Sequence, residues 1–80
     1  MAREIDGLTN LDDFDEEFGI ELPDGPYETV AGFMINRLGR LPCVGDGIRY
    51  RPCDLTVVSM DGRRIDRVLV APLDDALAPG

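Results

Sequence analysis

The fold is decided by residues 27–47, which read YETVAGFMINRLGRLPCVGDG and contain a complete helix signal. Thr29 has a side chain that can accept a backbone hydrogen bond at a helix N-terminus, and no proline interrupts residues 30–38. Gly39 follows as the residue type that adopts the left-handed conformation after a helix, and Pro42 prevents continuation. These features predict a helix over residues 30–38.

Most of the surface of this helix is apolar. At about 100° per residue, one face is formed by four apolar side chains and widened by two more, namely Ala31, Met34, Ile35 and Leu38, with Val30 and Phe33. A helix that is apolar on most sides must be buried on most sides, so another layer of structure is expected against it. Gly32 and Asn36 form a thin side, where close backbone packing and a ligand-binding backbone are the two alternatives.

The segment before this helix predicts a strand and a second helix. Residues 1–9 suggest a short edge strand that ends at Asp6-Gly7, with Ile5 and Leu8 as its apolar anchors. Asn10 can then cap a helix over residues 11–18, which Gly19 ends. The apolar face of that helix consists of Leu11, Phe14 and Phe18.

The segment after the long helix predicts an edge strand. Gly45-Asp46-Gly47 has the composition of a tight turn. Apolar side chains and arginines alternate over residues 48–51, which is typical of a strand with one buried face. Pro52 restricts this strand to an edge or a bend, because proline cannot donate to a sheet.

The end of the chain predicts a hairpin. Strands over residues 55–60 and 63–70 flank Asp61-Gly62, a strong hairpin signal. The expected fold is therefore α+β, with a small, mostly antiparallel sheet packed by two helices. Residues 1–72 are expected to form one domain, and residues 73–80 a C-terminal tail or linker.

The apolar pattern of the hairpin requires an irregularity. Pairing across a two-residue turn opposes Val58 with Ile65 and Leu55 with Val68, which places these two pairs on opposite faces. Ile65 and Val68 are three residues apart and cannot share a face of a regular strand. A β-bulge near Asp66-Arg67 would return both to the core.

Charge and hydropathy exclude several classes of function. The chain has 80 residues and a net charge of −8, which argues against binding to nucleic acid or to anionic lipid. No apolar run approaches the roughly 18 residues that span a bilayer, and no signal peptide opens the chain. Residues 1–30 carry a net charge of −9, while residues 31–80 carry +1. This asymmetry suits either a solvated acidic face or attraction to a basic partner or a second copy.

The residue inventory predicts a protein that is not an enzyme. The chain lacks histidine and lysine, and its only serine is Ser59. Ser-His and Cys-His pairs, a Schiff-base lysine and a phosphate-binding G-x-x-x-x-G-K loop are therefore ruled out. No spacing singles out a pair of carboxylates for acid–base chemistry. We predict no catalytic residue, no cofactor-binding residue and no cofactor.

Metal binding is not predicted either. Five acidic residues cluster in one segment, namely Asp12, Asp13, Asp15, Glu16 and Glu17. A calcium loop needs glycine at its sixth position, and the sixth residue from Asp13 is Phe18. We interpret the cluster as the exposed face of an amphipathic helix, with weak Mg²⁺ or Ca²⁺ binding as the alternative.

The two cysteines, Cys43 and Cys53, have the spacing C-x₉-C, which is not a redox motif. Without histidine, two thiols cannot complete a tetrahedral zinc site unless a second chain contributes ligands. Free cysteines are the expectation, and an incidental disulfide or a metal shared between subunits are the alternatives.

The chain resembles a known family in the order and spacing of its motifs. The family typically shows an aromatic residue, T-[VLA]-A-G, an apolar helix, LGR-[IL]-P, a G-D turn and a final strand with R-I-x-x-V. In this sequence those positions are Tyr27, Thr29–Gly32, Leu38–Pro42, Gly45-Asp46, and Arg64, Ile65 and Val68. Upstream, Asp6-Gly7, Leu11–Phe14 and Phe18–Ile20 also follow its pattern. Over residues 4–70 the chain is thus similar to the transporter-associated domain at the C-terminus of CorC/HlyC-type, haemolysin-like membrane proteins.

The resemblance implies a cytoplasmic, non-catalytic module of a larger membrane protein. Such modules usually follow a membrane domain and a pair of CBS domains, and they are associated with transport of Mg²⁺, Co²⁺ or other ions. The implied role is regulatory, and the implied fold is similar to half of certain flavin-binding domains. The resemblance assigns no site residue.

Two hypotheses follow for its partners. In the first, the domain regulates or assembles its parent protein through its CBS pair or through a second copy, and an exposed apolar patch beside the hairpin would support this. In the second, it senses an adenine nucleotide, a flavin or a divalent cation. Membrane disruption, which the haemolysin label suggests, lacks the basic amphipathic helix that it needs.

Overall fold

A four-stranded antiparallel sheet with both helices packed on one face forms the fold. The structure, a computed structural model, describes residues 2–51 and 53–72, so Pro52 and the predicted tail over 73–80 lie outside the described residues. In chain order the elements are β1 (Arg3–Asp6), α1 (Leu11–Phe18), α2 (Val30–Leu38), β2 (Gly47–Tyr50), β3 (Cys53–Asp61) and β4 (Arg64–Pro72). The strands lie in the order β1-β4-β3-β2. The α+β class predicted from the sequence is confirmed.

Helix α2 has the predicted bounds and caps. The hydroxyl of Thr29 accepts a hydrogen bond from the Gly32 N–H at 3.1 Å, and Gly39 ends the helix with a φ of 72°. Burial is less extensive than expected: the sheet covers the first turn and a half, whereas Ile35 and Leu38 are only half-buried. The buried side chains of this helix are Val30, Ala31, Phe33 and Met34.

The N-terminus of α2 is bound by the turn that follows β1. The first N–H groups of a helix have no partner within the helix. Here the N–H of Val30 donates to the carbonyl of Thr9, and the N–H of Ala31 donates to the carbonyl of Gly7, each at 2.9 Å. Together with the Thr29 side chain, this turn fixes where the helix begins on the sheet.

Gly7 also joins this turn to β4. Its N–H donates to the carbonyl of Asp66 at 2.8 Å. A Cβ atom at Gly7 would lie 2.3 Å from the backbone oxygen of Ile65, which is far inside van der Waals contact. Only glycine allows the backbone of this turn to lie so close to β4.

Strand β1 ends at Asp6, as predicted, because the chain turns there. The carboxylate of Asp6 accepts the N–H of Leu8 at 2.8 Å, and its carbonyl accepts the Thr9 hydroxyl at 2.6 Å. This Asx-turn, formed by neighbouring residues alone, ends the strand. Ile5 is buried as predicted, but Leu8 is 60% exposed and does not anchor the strand. The predicted role of Leu8 was therefore wrong.

The hairpin has a different register from the one predicted. Asp61 belongs to β3 and pairs with Arg64, so the turn residues are Gly62 and Arg63. Gly62 has a φ of 63°, as the first central residue of a type II′ turn requires. This shift opposes Met60, rather than Val58, to Ile65.

The predicted bulge is present beside Arg67. Met60 pairs with Ile65 and Ser59 pairs with Arg67, which leaves Asp66 as an extra residue of β4. A compensating irregularity leaves Val58 unpaired on β3, and Val57 then pairs with Val68. Ile65 and Val68 are both buried, as the bulge requires.

Replacing Gly7 with alanine should destabilise the domain more than the same substitution at a glycine whose surroundings are open. The new Cβ would overlap the Ile65 carbonyl, and we expect a loss of about 3 kcal/mol in unfolding free energy, the scale of core overpacking. Gly19→Ala provides a control, because no atom of the residues that the structure describes would lie within 4 Å of the added Cβ. There, only the left-handed φ opposes alanine, at about 1 kcal/mol. Equal losses in urea unfolding would contradict this view of Gly7.

Candidate functional site

Helix α1 is amphipathic and presents its acids outward. The Asn10 side chain accepts the N–H of Asp12 at 2.8 Å and caps the helix as predicted. Phe14 is fully buried, and its ring lies 4.8 Å from that of Phe18. The exposed acids are Asp12, Asp13, Asp15, Glu16 and Glu17. The interpretation of this cluster as an exposed helix face is confirmed.

An open groove runs beside this acidic face. Its lining residues are Leu8, Thr9, Asn10, Asp13, Glu16 and Glu17. One of these acids is already engaged, because Glu17 pairs with Arg3, whose guanidinium lies 5.2 Å from the centre of the Phe18 ring. Within residues 2–51 and 53–72, no three acidic or thiol side chains are grouped closely enough to hold a metal ion.

Gly32 is a packing position. A Cβ atom there would lie 2.9 Å from the Cβ of Tyr27, so the tyrosine covers the thin side of α2. Tyr27 is itself held by its hydroxyl, which donates to the Pro23 carbonyl at 2.7 Å, and by its edge-to-face contact with Phe33. Close packing, rather than a ligand-binding backbone, explains this glycine.

The two cysteines are free, as expected. Cys43 is exposed in the loop between α2 and β2, whereas Cys53 is buried on the helix-facing side of β3. Burial raises the pKa of the Cys53 thiol, which keeps it protonated and unreactive.

An ion pair that the sequence analysis did not identify fixes the loop between α2 and β2. The guanidinium of Arg40 donates two hydrogen bonds to the carboxylate of Asp46, at 2.8 and 3.0 Å. The N–H of Cys43 donates to the same carboxylate at 2.7 Å. The Arg40 hydrogen bonds, with that of the Cys43 N–H, lower the pKa of Asp46 to about 2. Arg40 and Asp46 lie in the L-G-R-L-P and G-D motifs, from which we predicted a helix end, a turn and the family resemblance, but no ion pair.

The loop between α2 and β2 exposes apolar side chains to solvent. Leu41 is 56% exposed and Val44 is 61% exposed, on either side of the buried Pro42. The N–H of Gly45 donates to the Val57 carbonyl at 2.9 Å, which joins this loop to β3 beside the exposed Val58. We call Leu41, Val44 and Val58 the apolar patch.

The described residues thus form a small α+β domain in which two helices cover one face of an open antiparallel sheet. A family model described as "Transporter associated domain", CorC_HlyC, matches residues 3–74. The chain therefore belongs to the CorC_HlyC transporter associated domain family. The resemblance noted in the sequence is confirmed.

Relatives place this domain within longer chains. The chain is 39% identical to the polyamine export protein of Escherichia coli K12 and 32% identical to the magnesium and cobalt efflux protein CorC of the same strain. Each match covers 94% of this chain, but only 18% and 26% of the respective relative. The chain thus spans about a fifth to a quarter of the length of these relatives.

A solved structure has the same fold. The transporter associated domain from a Xylella fastidiosa Temecula1 hemolysin, solved in complex with Mg²⁺ and Mn²⁺, superposes with a TM-score of 0.81 at 32% identity. The match covers 91% of this chain and 89% of that one. In the part of the present chain that the structure describes, no helix is long and apolar enough to span a bilayer.

The Arg40–Asp46 pair makes a prediction about acid stability. Because the pKa of Asp46 is lowered from 3.8 to about 2 on folding, its contribution is complete above pH 3.8 and is lost as the pH falls toward 2. We expect Asp46→Asn to be less stable than the parent at pH 7 but to lose less stability between pH 4 and 2. Urea unfolding at both pH values measures this difference.

Asp24→Asn is the matched control, since it removes one carboxylate from an exposed position for which the described residues show no ion pair. If Asp46→Asn and the parent lost stability in parallel below pH 4, the Asp46 carboxylate would not be held as the structure indicates.

Proposed function

We propose that this chain is a non-catalytic regulatory or assembly module of a CorC-type membrane transport protein. Its family is described as transporter-associated, and its relatives carry the domain as a minor part of longer export proteins. The proposal rests mainly on one observation, the apolar patch. Val58 lies on the hairpin strand β3, and Val44 lies in the loop that bonds to β3 through Gly45. The Arg40–Asp46 pair links the two ends of that loop.

An apolar surface on a loop whose backbone is hydrogen-bonded favours binding to another protein surface. A backbone that is already ordered loses little conformational entropy when a partner covers it. The buried core does not need Leu41 or Val44, since both are largely solvent-exposed. We propose that this patch contacts the parent protein, either its CBS pair or a second copy of the domain.

The remaining features of the proposal come from the family. We propose that residues 1–72 form the module and residues 73–80 a tail or linker, on the cytoplasmic face of the membrane. The transported cargo would be a cation, because the relatives are named for export of magnesium and cobalt or of polyamines.

A second candidate is a sensor of divalent cations. It is favoured by the Xylella fastidiosa domain, which was solved in complex with Mg²⁺ and Mn²⁺, and by the open acidic groove beside α1 of the present chain. In this alternative, Asp13 and Glu16 would supply carboxylate oxygens, which these hard cations prefer. The groove offers charge without an enclosed cage, so weak binding is the expectation.

A chimeric exporter tests the proposed function. The matched segment of the Escherichia coli polyamine export protein would be replaced by this chain, and polyamine efflux compared with that of a deletion lacking the segment. We expect the chimera to restore efflux, and Val44→Asp to abolish the restoration because a charge would be buried in the apolar contact.

Leu8→Asp is the matched control, because Leu8 is as exposed as Val44 but lies outside the apolar patch. All chimeras must accumulate equally in the membrane. If the chimera failed to restore efflux, or if both aspartate variants behaved alike, the assembly proposal would be wrong.

Thermal unfolding separates the sensor from the assembly module. A cation at about 100 times its dissociation constant should add roughly 2.7 kcal/mol, or about 4 to 8 °C in Tm. We expect no such rise with Mg²⁺ or Mn²⁺ beyond that given by NaCl of equal ionic strength. A rise that Asp13→Asn combined with Glu16→Gln removes would instead establish the cation sensor.

A further inference from the structure

Among residues 2–51 and 53–72, the outer edge of β2 has no partner strand. β2 lies at the end of this described sheet and pairs there with β3 alone. The N–H of Val57 donates to the carbonyl of Asp46, so the alternation of an antiparallel pair directs the backbone of Ile48 and Tyr50 toward β3. The backbone N–H and C=O groups of Gly47 and Arg49 then point outward. Among the described residues, no strand pairs with this edge.

An arginine is fixed above this edge by aromatic rings. The guanidinium of Arg37 lies 5.5 Å from the centre of the Phe33 ring and 5.6 Å from that of Tyr50. The two rings meet edge to face, and the Tyr50 hydroxyl donates to the Glu21 carbonyl at 3.2 Å. Such stacking orders a guanidinium while leaving its N–H groups free to donate. In the described part of the chain, no carboxylate lies within ion-pair distance of Arg37.

Two more arginines complete a basic edge. Because Ile48 and Tyr50 face the helices, Arg49 projects from the opposite face of the sheet, where it pairs loosely with Asp54 at 3.5 Å. Arg51 is exposed just beyond the end of β2. Cationic side chains thus lie above, below and beyond one free strand edge, in a chain whose net charge is −8.

We propose that the outer edge of β2 binds an acidic, extended segment of a partner polypeptide, which adds to the sheet as a fifth strand. The backbone groups of Gly47 and Arg49 would pair with the added strand. Side chains of an extended segment alternate between the two faces, so its carboxylates would meet Arg37 on one face and Arg49 on the other. This inference rests on the proposed assembly function and names a second surface for it.

Charge complementarity argues for this partner. The acids of α1 repel a polyanion at that end of the domain, so an acidic segment is attracted where arginines dominate locally. Asp54 and the nearby Glu21 are the carboxylates that oppose this attraction. The long contact between Asp54 and Arg49 leaves the guanidinium able to take a second carboxylate.

Amide NMR of the 80-residue chain tests the proposal. The probe is a capped peptide in which pairs of glutamates alternate with pairs of valines, so that an extended strand carries carboxylates on both faces. Its glutamine–valine counterpart serves as the uncharged control. We expect the acidic peptide to shift the backbone amides of Gly47 and Arg49 in particular. Arg37→Gln should weaken binding about fivefold, and Arg37→Lys less so, because lysine keeps the charge.

Arg63→Gln is the matched control variant, since Arg63 is exposed in the hairpin turn away from β2 and its loss changes the net charge equally. It should change the affinity less than about twofold. An unchanged pattern of amide shifts in the free variants shows that each remains folded.

Several results would overturn the proposal. These are equal binding of the glutamine–valine peptide, equal losses with Arg37→Gln and Arg63→Gln, shifts confined to α1, or the same β2 shifts with ATP alone. The exporter chimera separates this proposal from the proposed function. If efflux is restored but the acidic peptide does not bind, only the β2 surface is wrong. If the peptide binds but the chimera does not restore efflux, the assembly function is wrong.

Discussion

The structure depends on the hydrogen-bond partners of the backbone N–H groups at the N-terminus of α2. Two of the first N–H groups of this helix donate to the carbonyls of Gly7 and Thr9, each at 2.9 Å. A buried N–H without a partner costs about 1 to 3 kcal/mol, so the turn after β1 must lie at this point. Because Gly7 also bonds to Asp66, the same turn joins the first strand, the long helix and the bulge of β4.

This arrangement determines which surfaces remain available. Both helices lie on one face of the sheet, and the phenylalanines of α1 and α2 fill the core there. The surface therefore carries three chemically different features outside the core. The first is the apolar patch, part of which lies in the loop whose ends the Arg40–Asp46 pair links. The second is Arg37, which stacks on aromatic rings, and the third is the row of exposed carboxylates on α1. The proposed assembly function rests on these surfaces.

Local signals made both helices predictable, whereas contacts between distant segments were not. Asn10 and Thr29 cap their helices as the sequence indicated, because capping depends on a few neighbouring residues. The hairpin register differed, since Asp61-Gly62 fits more than one turn, and only the fold selects Gly62 as its first central residue. The role of Gly7 was missed because its contact partner on β4 lies at the other end of the chain. The bulge was predictable because two core residues could not otherwise share a face.

Hydrogen exchange at the start of α2 tests this central constraint most directly. The amides of Val30 and Ala31 would exchange quickly at a frayed helix end, because they have no partner within the helix. We predict that they exchange as slowly as the amide of Val57 in the centre of the sheet, through global unfolding only. The Asp13 amide, in the first turn of exposed α1, should exchange quickly and serves as the reference. Fast exchange of Val30 and Ala31 would contradict the claim that the turn after β1 holds the fold together.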